Sequence, residues 1–342
     1  MHFYSIRLSV ILILLISQLV DASIVFTSDR DGTREIYVMN ENGSNVKRLT
    51  DNNLFERNPV WSPDGKLIAF TTDVDEDPEI KQHDIIIMDA DGGNHRNLTN
   101  HPAKDEDASW SPDGQHIAFT SNRSGRDEIH IIDITSDNIE QLTDSKGIQG
   151  SANDPCWSPD GRYIAYEQQS KVLRATIYLI DVQTQKTSPL IQPVLNMRRN
   201  RPRWSPDGKY IMFHVISFEK VVADIDPNKP VFLPDFIFGM TDHLDIMSLD
   251  GFHKPRLTIP EEWSVGFITS WSPDSNEIVF SSKPQRWGGK PDIYRYNLMT
   301  HEFVNLTNNT TYDGEPNWLN RTLSVTPTGK MVTLWSHIKQ LK

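Results

Sequence analysis

Six tryptophans recur along the chain, and charged side chains gather just before five of them. The segments that end on these tryptophans read FERNPVW, KDEDASW, SANDPCW, RRNRPRW, SVGFITSW and YDGEPNW. Their candidate ligand-binding residues are five carboxylates and three arginines: Glu56, Asp107, Asp154, Asp313, Glu315, Arg198, Arg199 and Arg201. Converging carboxylates repel one another unless they bind cations, water or basic side chains, and an arginine can grip a carboxylate or phosphate through two hydrogen bonds. The segments therefore predict a polar binding funnel, or else residues that only bond backbone amides at structural junctions. For the arginines, pairing with the neighbouring acids is the favoured interpretation.

A second acidic pattern has the spacing of a calcium loop. Asp73, Asp75 and Asp77 match the first three ligands of such a loop, and Asp84 stands at its twelfth position. The sixth position, where a sharp turn needs glycine, is Pro78 instead. We therefore interpret this segment as a solvated acidic loop and expect no cofactor, with calcium as the only candidate.

Residue patterns for catalysis do not occur. The eleven histidines form no His-x-His or His-Glu-x-x-His pair, and no Gly-x-Ser-x-Gly is present. The single cysteine, Cys156, excludes an intramolecular disulfide and is expected to be a buried thiol in a strand. The sequence predicts no catalytic residue and favours a non-enzymatic function.

The tryptophans belong to a long internal repeat that must position all these groups. Trp-Ser-Pro-Asp-Gly begins at Trp61, Trp110, Trp157 and Trp204, a fifth copy reads Trp271-Ser-Pro-Asp-Ser275, and Trp318 starts a degraded sixth. A period of about 40–50 residues indicates a solenoid, an array or a propeller. Each period predicts four short strands, because runs of β-branched and aromatic residues alternate with turn residues.

Counting the strands predicts an all-β, six-bladed β-propeller of four-stranded blades over residues 23–320. The first blade lacks its first strand near the N-terminus, and Pro316–Asn320 is expected to supply it. Such a closure leaves few exposed sheet edges. With only 37% hydrophobic residues, the blades are expected to be thin, each with its own small core.

The repeat, WSPDG followed by IAFTS-, EIYVMN- and LT-type segments, resembles that of the TolB-like propeller family and, more distantly, the propellers of prolyl-oligopeptidase-type enzymes. The resemblance implies the fold, but it is weak for function because propellers host many functions. TolB carries a further N-terminal α/β domain, and the peptidases carry a hydrolase domain. Neither has room in this sequence, so a bare propeller is expected.

The two ends of the chain are expected to lie outside the ring. The apolar run Leu8–Val20 followed by Val20-Asp21-Ala22 predicts a secretory signal peptide at 1–22, and hence an exported protein, periplasmic or extracellular. After cleavage no segment is apolar enough to cross a membrane. The tail 321–342 is expected to pack on the ring or to dock elsewhere.

Almost all variation in loop length falls on one face of the predicted ring. This face carries the links between second and third strands and between blades. Long links run over Ser217–Asp242 and Lys283–Pro291, and the candidate loop aromatics are Phe236, Trp263 and Trp287. A net charge of −12 argues against a nucleic-acid partner. We therefore expect a monomeric scaffold that binds a protein or peptide at this face. The alternative is a carbohydrate-active or acidic-glycan-binding propeller that uses the same funnel.

Overall fold

The computed structural model describes residues 23–74, 82–170, 174–194, 197–218, 240–250, 264–283 and 289–320. The predicted signal peptide, the C-terminal tail, Asp75, Asp77 and the three loop aromatics lie outside these ranges. Across the described ranges, no helix is long and apolar enough for a membrane span.

Six antiparallel sheets are formed within the described residues, and each is one blade. Blade 1 contains β23 (Asp313–Trp318), β1 (Ile24–Ser28), β2 (Glu35–Met39) and β3 (Lys47–Arg48). Blade 2 contains β4 (Glu56–Trp61), β5 (Leu67–Asp73), β6 (His83–Asp89) and β7 (Arg96–Asn97). Blade 3 contains β8 (Asp105–Trp110), β9 (His116–Ser121), β10 (Glu128–Asp133) and β11 (Ile139–Gln141).

The other three blades follow the same order. Blade 4 contains β12 (Ser151–Trp157), β13 (Tyr163–Ser170), β14 (Arg174–Asp181) and β15 (Thr187–Pro189). Blade 5 contains β16 (Met197–Trp204), β17 (Tyr210–Phe218) and β18 (Met240–Ser248), and its predicted fourth strand lies beyond the described ranges. Blade 6 contains β19 (Ser264–Trp271), β20 (Glu277–Lys283), β21 (Asp292–Asn297) and β22 (Phe303–Asn305).

The ring closes through the two ends of the propeller. β23 pairs with β1 in antiparallel register, with Ile24 opposite Trp318 and Ser28 opposite Asp313. The first strands of the blades contact one another in the cyclic order β23, β4, β8, β12, β16, β19 and back to β23. These six strands are therefore the inner strands around the axis, and the predicted six-bladed architecture is confirmed.

The serine hydroxyl makes the same two hydrogen bonds in each Ser-Pro-Asp-Gly turn. In blade 2 the Ser62 hydroxyl donates to Asp64 at 2.8 Å and accepts from the Leu67 amide at 2.9 Å. Gly65 takes φ +70°, a conformation that costs glycine little. In the fifth copy Ser275 adopts the left-handed conformation, at φ 59°.

The Leu-Thr pairs at the ends of blades are bonded to the third strands. The Thr50 hydroxyl accepts a hydrogen bond from the Ile36 amide at 2.9 Å, and Thr99, Thr143 and Thr307 accept the equivalent bonds from Ile85, Ile129 and Ile293. Each threonine thus satisfies a buried backbone amide that the short outer strand leaves open.

The apolar cores lie between blades rather than inside them, so the prediction of one small core per blade is wrong. Each of the six clusters joins two neighbouring blades; one packs Val25 and Ile36 of blade 1 against Trp61 and Phe70 of blade 2. A blade is a single sheet and can bury its faces only against its neighbours. The recurrent tryptophans are part of these interfaces, which hold the inner strands in place.

Candidate functional site

Five inner strands carry a β-bulge at the same position, three residues before the tryptophan. The residues there have positive φ: Asn58 (52°), Asp107 (56°), Asp154 (52°), Arg201 (54°) and Glu315 (54°). The strand register shifts at each of these points. Bulges re-aim side chains and are frequent beside functional sites. Because the inner strands form a closed ring, these bulge residues occupy one level of its central channel.

A hydrogen-bonded chain links the bulge residues of blades 1 to 3. The Asn58 backbone amide donates to Oε2 of Glu315 at 2.8 Å, and its side-chain amide donates to Oδ1 of Asp107 at 2.7 Å. The Thr27 hydroxyl also donates to Glu315, at 3.1 Å. Neutral donors therefore satisfy much of this side of the channel.

From Asp107 the ring continues into an acidic sector that spans blades 3 to 5 and consists of Asp107, Asp154, Glu167 and Arg201. Burial raises the pKa of Asp107 to about 8, the negative charge of Asp154 adds to the rise, and Arg201 opposes it. Burial and Asp154 likewise raise the pKa of Glu167 to about 7, against the lowering effect of Arg198. Burial acts to lower the pKa of Arg201, but the surrounding carboxylates outweigh it and the pKa rises. Asp107 and Glu167 thus hold protons near neutral pH.

Aromatic and cationic side chains form an aromatic rim on the loop-bearing face, made of Tyr312, Arg34, Phe55 and Arg57. The Arg34 guanidinium lies 3.8 Å from the ring centre of Tyr312 and 4.3 Å from the ring centre of Phe55. The Arg57 guanidinium lies 5.0 Å from the same Phe55 ring centre. Tyr312 and Phe55 both stand six residues before an inner-strand tryptophan. Phe55 is 38% exposed. The rim therefore joins blades 1 and 2 and offers an aromatic edge to solvent.

Ion pairs extend the rim to blade 3. Arg57 donates to Asp73 at 2.5 Å, His83 lies 3.3 Å from Asp73 and 2.6 Å from Glu106, and Lys104 contacts Glu106 at 2.5 Å. Burial acts to raise the pKa of Glu106, but the hydrogen bonds from His83 and Lys104 outweigh it and the pKa falls. Sequence reasoning missed Arg34, Phe55, Tyr312 and His83 as site residues, although the recurring position before the tryptophan marks two of them.

Two of the predicted funnel residues are buried inside their own blades. Asp313 is fully buried and accepts a hydrogen bond from Arg30 at 2.9 Å. Glu56 is also buried; it is bonded to the Thr50 hydroxyl and accepts from Asn52 at 2.7 Å. Burial raises the pKa of Glu56 to about 7, against the lowering effect of these hydrogen bonds. Both carboxyls therefore already have donors inside their own blades.

The predicted arginine cluster divides along β16. Arg198 donates to Oε1 of Glu167 through Nε at 3.2 Å and Nη2 at 3.0 Å, which is the expected pairing with an acid. Arg201 joins the acidic sector. Arg199 donates to the Met197 sulfur at 3.3 Å, and burial lowers its pKa. The structure thus brings Asp107, Asp154, Glu315 and Arg201 together at the bulge level, with Arg198 beside Glu167.

The ends of the suspected calcium loop have other partners. Asp73 belongs to the ion pairs of the rim, and Asp84 accepts hydrogen bonds from Asn97 at 2.7 Å and Thr99 at 3.2 Å. Nowhere in the described ranges do three or more His, Cys, Asp or Glu side chains lie close enough to hold a metal ion. The predicted solvated loop, and calcium as its alternative, stay untested, since Asp75 and Asp77 lie outside those ranges.

Cys156 has a structural contact between blades. Its sulfur accepts a hydrogen bond from the Trp204 amide at 3.4 Å, just as the hydroxyls of Ser109 and Ser270 accept from the amides of Trp157 and Trp318 at 3.0 Å. Burial raises the pKa of the thiol, which disfavours the reactive thiolate.

Known proteins share both the repeat and the ring. Residues 79–226 match the family model of the TolB beta propeller domain. A 52-residue stretch is 38% identical to the Tol-Pal system protein TolB of Desulfosudis oleivorans, covering 15% of this chain and 12% of that protein. The crystal structure of TolB from Acinetobacter baumannii matches with a TM-score of 0.64 and 20% identity, over 87% of this chain and 66% of that one. Hydrazine synthase of Kuenenia stuttgartiensis matches with a TM-score of 0.61 and 14% identity, over 88% and 47%.

The solved structures are similar to this chain in fold, and the matched part spans less than two thirds of each relative's length. The family model and the curated relative add similarity in sequence. The predicted resemblance to TolB-like propellers is thereby confirmed.

Proposed function

We propose that this chain is an exported, non-catalytic scaffold that binds a protein or peptide partner at its loop-bearing face. The aromatic rim is the observation that carries the proposal. Tyrosine, phenylalanine and arginine are enriched in protein interfaces, and here they stack in one half-buried row from which Phe55 is exposed. Arg34 and Arg57 hold Phe55 between them at 4.3 and 5.0 Å, so little side-chain entropy remains to be lost on binding.

Two further considerations support a protein partner. The curated relative is a protein of the Tol-Pal system, so an assembly of proteins is a reasonable setting for a similar propeller. The apolar segment at the N-terminus supports export, to the periplasm or the extracellular space.

The experiment is affinity capture of partners from an envelope extract of the host. The tagged full chain is one bait, and its Phe55→Ala variant is the other. We expect this variant to recover the specific partner about thirtyfold less well, because losing an interface anchor costs about 2 kcal/mol. Met299→Ala is the matched control, since Met299 is 77% exposed in the turn between β21 and β22 on the other face. Equal capture by both variants, or turnover of a uronate polymer with no captured partner, would contradict the proposal.

A further inference from the structure

The face opposite the loop-bearing one, which we call the turn face, carries the links between first and second strands and between third and fourth strands. In blades 1 and 6 the third-to-fourth links are residues 40–46 and 298–302. Each link exposes one large apolar side chain, Val46 in blade 1 and Met299 in blade 6. Neither side chain serves the interblade cores, so both are available for contact with another segment.

The two links adjoin each other across the boundary between blades 6 and 1. Nη1 of Arg295 on β21 donates to the carbonyl of Glu41 at 3.5 Å. A Cβ atom at Gly43 would collide with the carbonyl oxygen of Leu306, the residue after β22. The link of blade 1 therefore rests directly on blade 6, and the two apolar side chains belong to one part of the surface.

Acidic side chains stand beside this apolar surface. Glu41 and Glu302 are exposed in the two links, and Asp274 is exposed in the first-to-second turn of blade 6. Lys47, next to the blade 1 link, donates instead to the Asp91 carbonyl of blade 2 at 3.3 Å. This part of the turn face thus combines apolar surface with negative charge.

The chain leaves the described ring on the same face. First strands run from the loop-bearing face to the turn face, and β23 is held at its end by the Leu319 amide, which donates to the Ser23 carbonyl at 2.6 Å. Nε1 of Trp318 donates to Oε1 of Glu41 at 3.3 Å, so the exit lies beside one of the acids. Paired strands are about 4.8 Å apart, which puts the outer link of blade 1 roughly 10–15 Å from the exit. Ten residues can span about 35 Å, so residues 321–330 can carry the segment after them across blade 1 to blade 6.

Residues 321–342 differ from the ring in charge and pattern. They contain four basic residues and no Asp or Glu, although the whole chain has a net charge of −12. From residue 331 apolar residues recur at intervals of three and four, which predicts one apolar stripe along a helix. They are Met331, Leu334, Trp335, Ile338 and Leu341. Lys330 and Lys339 fall at the two borders of this stripe. Such a segment fits an apolar surface that has acids beside it.

We infer that residues 331–342 dock on the turn face of blades 1 and 6, with the apolar stripe on Val46 and Met299. The segment comes from blade 1, so its second half, with Lys339, reaches blade 6 beside Glu302. Apolar burial supplies the affinity, and the opposite charges set the orientation. The docked segment crosses the boundary next to the closing pair of β23 and β1, so it acts as a clasp on the ring. This inference goes beyond the proposed function, because it concerns the other face and leaves the loop-bearing face uncovered.

Hydrogen exchange of the purified full chain, read by mass spectrometry on the peptide 331–342, tests the docking. An isolated helix of this length is marginal in water, so an undocked segment exchanges like an unfolded chain, and we expect docking to slow exchange about tenfold or more. Met299→Gln keeps the length of the side chain but makes it polar, and should speed exchange about fivefold. Ile148→Gln is the matched control, at an exposed position of the loop-bearing face, and should leave the rate unchanged.

Charge reversal tests the orientation with variants at exposed positions. Glu302→Lys and Lys339→Glu should each speed exchange about threefold, since each replaces an attraction between exposed charges by a repulsion. The two changes in one chain restore the attraction, and exchange should return to the rate of the unaltered chain. Glu140→Lys, on the outer strand of blade 3 across the ring, is the control and should have no effect.

Four results would overturn the inference. The first is exchange at the rate of an unfolded chain in the unaltered protein. The second is protection that stays the same in Met299→Gln and in both single charge variants. The third is protection that disappears on tenfold dilution, which would assign the segment to a second copy of the chain. The fourth is protection that arises only when phosphatidylglycerol vesicles are added, which would assign it to an anionic lipid surface.

Discussion

Two sets of carboxyl groups lie two residues apart on the same inner strands and have different surroundings. Five residues before the tryptophan, Asp105 and Asp313 are fully buried, and each has its own arginine at 2.9 Å. Three residues before it, Asp107 and Asp154 lie on bulges and share one guanidinium with other acids. Residue type alone therefore does not decide whether a buried acid has a cation of its own; its position relative to the bulge does.

The acids five residues before the tryptophan form the structural set, and two of them accept hydrogen bonds from arginines of a recurring Ser-x-Arg motif at the end of the second strands. Arg30 follows Ser28 by two residues, and Arg123 follows Ser121 in the same way; each arginine also bonds that serine at 2.9 Å through Nε. Glu56 is the member without an arginine: its side-chain donors are neutral and its pKa rises to about 7. Burial thus raises the pKa of one carboxyl in each set that has no arginine of its own, Glu56 and Asp107.

The largest effect is expected from Asp313→Ala. Removing one partner of a buried ion pair leaves the other uncompensated, which costs about 3 kcal/mol, at the low end because Arg30 is partly exposed. Asp313 also stands in the strand that closes the ring. Urea unfolding monitored by tryptophan fluorescence measures the change in the free energy of unfolding.

The control for this variant is Asp137→Asn, which removes the charge of an exposed pair with Arg96 and keeps a residue type that tolerates the φ of 57° at this position. An exposed ion pair contributes less than about 1 kcal/mol. If both variants lose the same stability, the buried ion pair of Asp313 contributes no more than an exposed one, and Asp313 has no special structural role.

An intermediate effect, with a pH dependence, is expected from Asp107→Asn. The folded pKa of about 8 lies above the unfolded value of about 3.9, so the folded state holds a proton that the unfolded state has lost. Stability of the unaltered chain therefore falls as pH rises between these two values. The variant lacks this loss, so its relative stability should increase by about 2 kcal/mol from pH 6 to pH 8.

Asparagine is a suitable replacement because Asn58 occupies the same bulge position in blade 2, at φ 52°. Urea unfolding at pH 6, 7 and 8 gives the measurement. A difference between variant and unaltered chain that stays constant with pH would show that Asp107 is as well compensated as Asp313.

The sequence predicts the ring well because the repeat carries its own turns and strands. The Trp-Ser-Pro-Asp-Gly spacing and the missing first strand of blade 1 were enough to place β23 beside β1. The location of the cores was predicted wrongly, since alternation within a strand shows that a face is buried but not which blade covers it.

The candidate site was predictable only in part. Asp107, Asp154, Glu315 and Arg201 are recognisable from their position before the tryptophan, but a bulge interrupts the strand there and breaks the simple alternation that would separate them from Asp313. The partner of Asp313 lies 283 residues away, so no local pattern reveals it. The aromatic rim is assembled from three separate loops that only ring closure brings together.

The smallest effect concerns backbone conformation at a turn, where no ligand is at stake. Ser275 holds φ 59° in a position that the other Ser-Pro-Asp turns give to glycine. Ser275→Gly should stabilise the chain by about 0.5–1 kcal/mol, because a left-handed conformation is unfavourable for a residue with a Cβ atom. The reverse variant, Gly208→Ser, should destabilise by a similar amount, since a Cβ there meets nothing within 4 Å and only the φ of 70° opposes it. Urea unfolding of both variants gives the change in the free energy of unfolding, which here reports backbone strain alone because neither serine nor glycine is charged. If both changes are near zero, the positive φ at Glu315 and Arg201 carries no strain either, and the bulges position these side chains without a conformational cost.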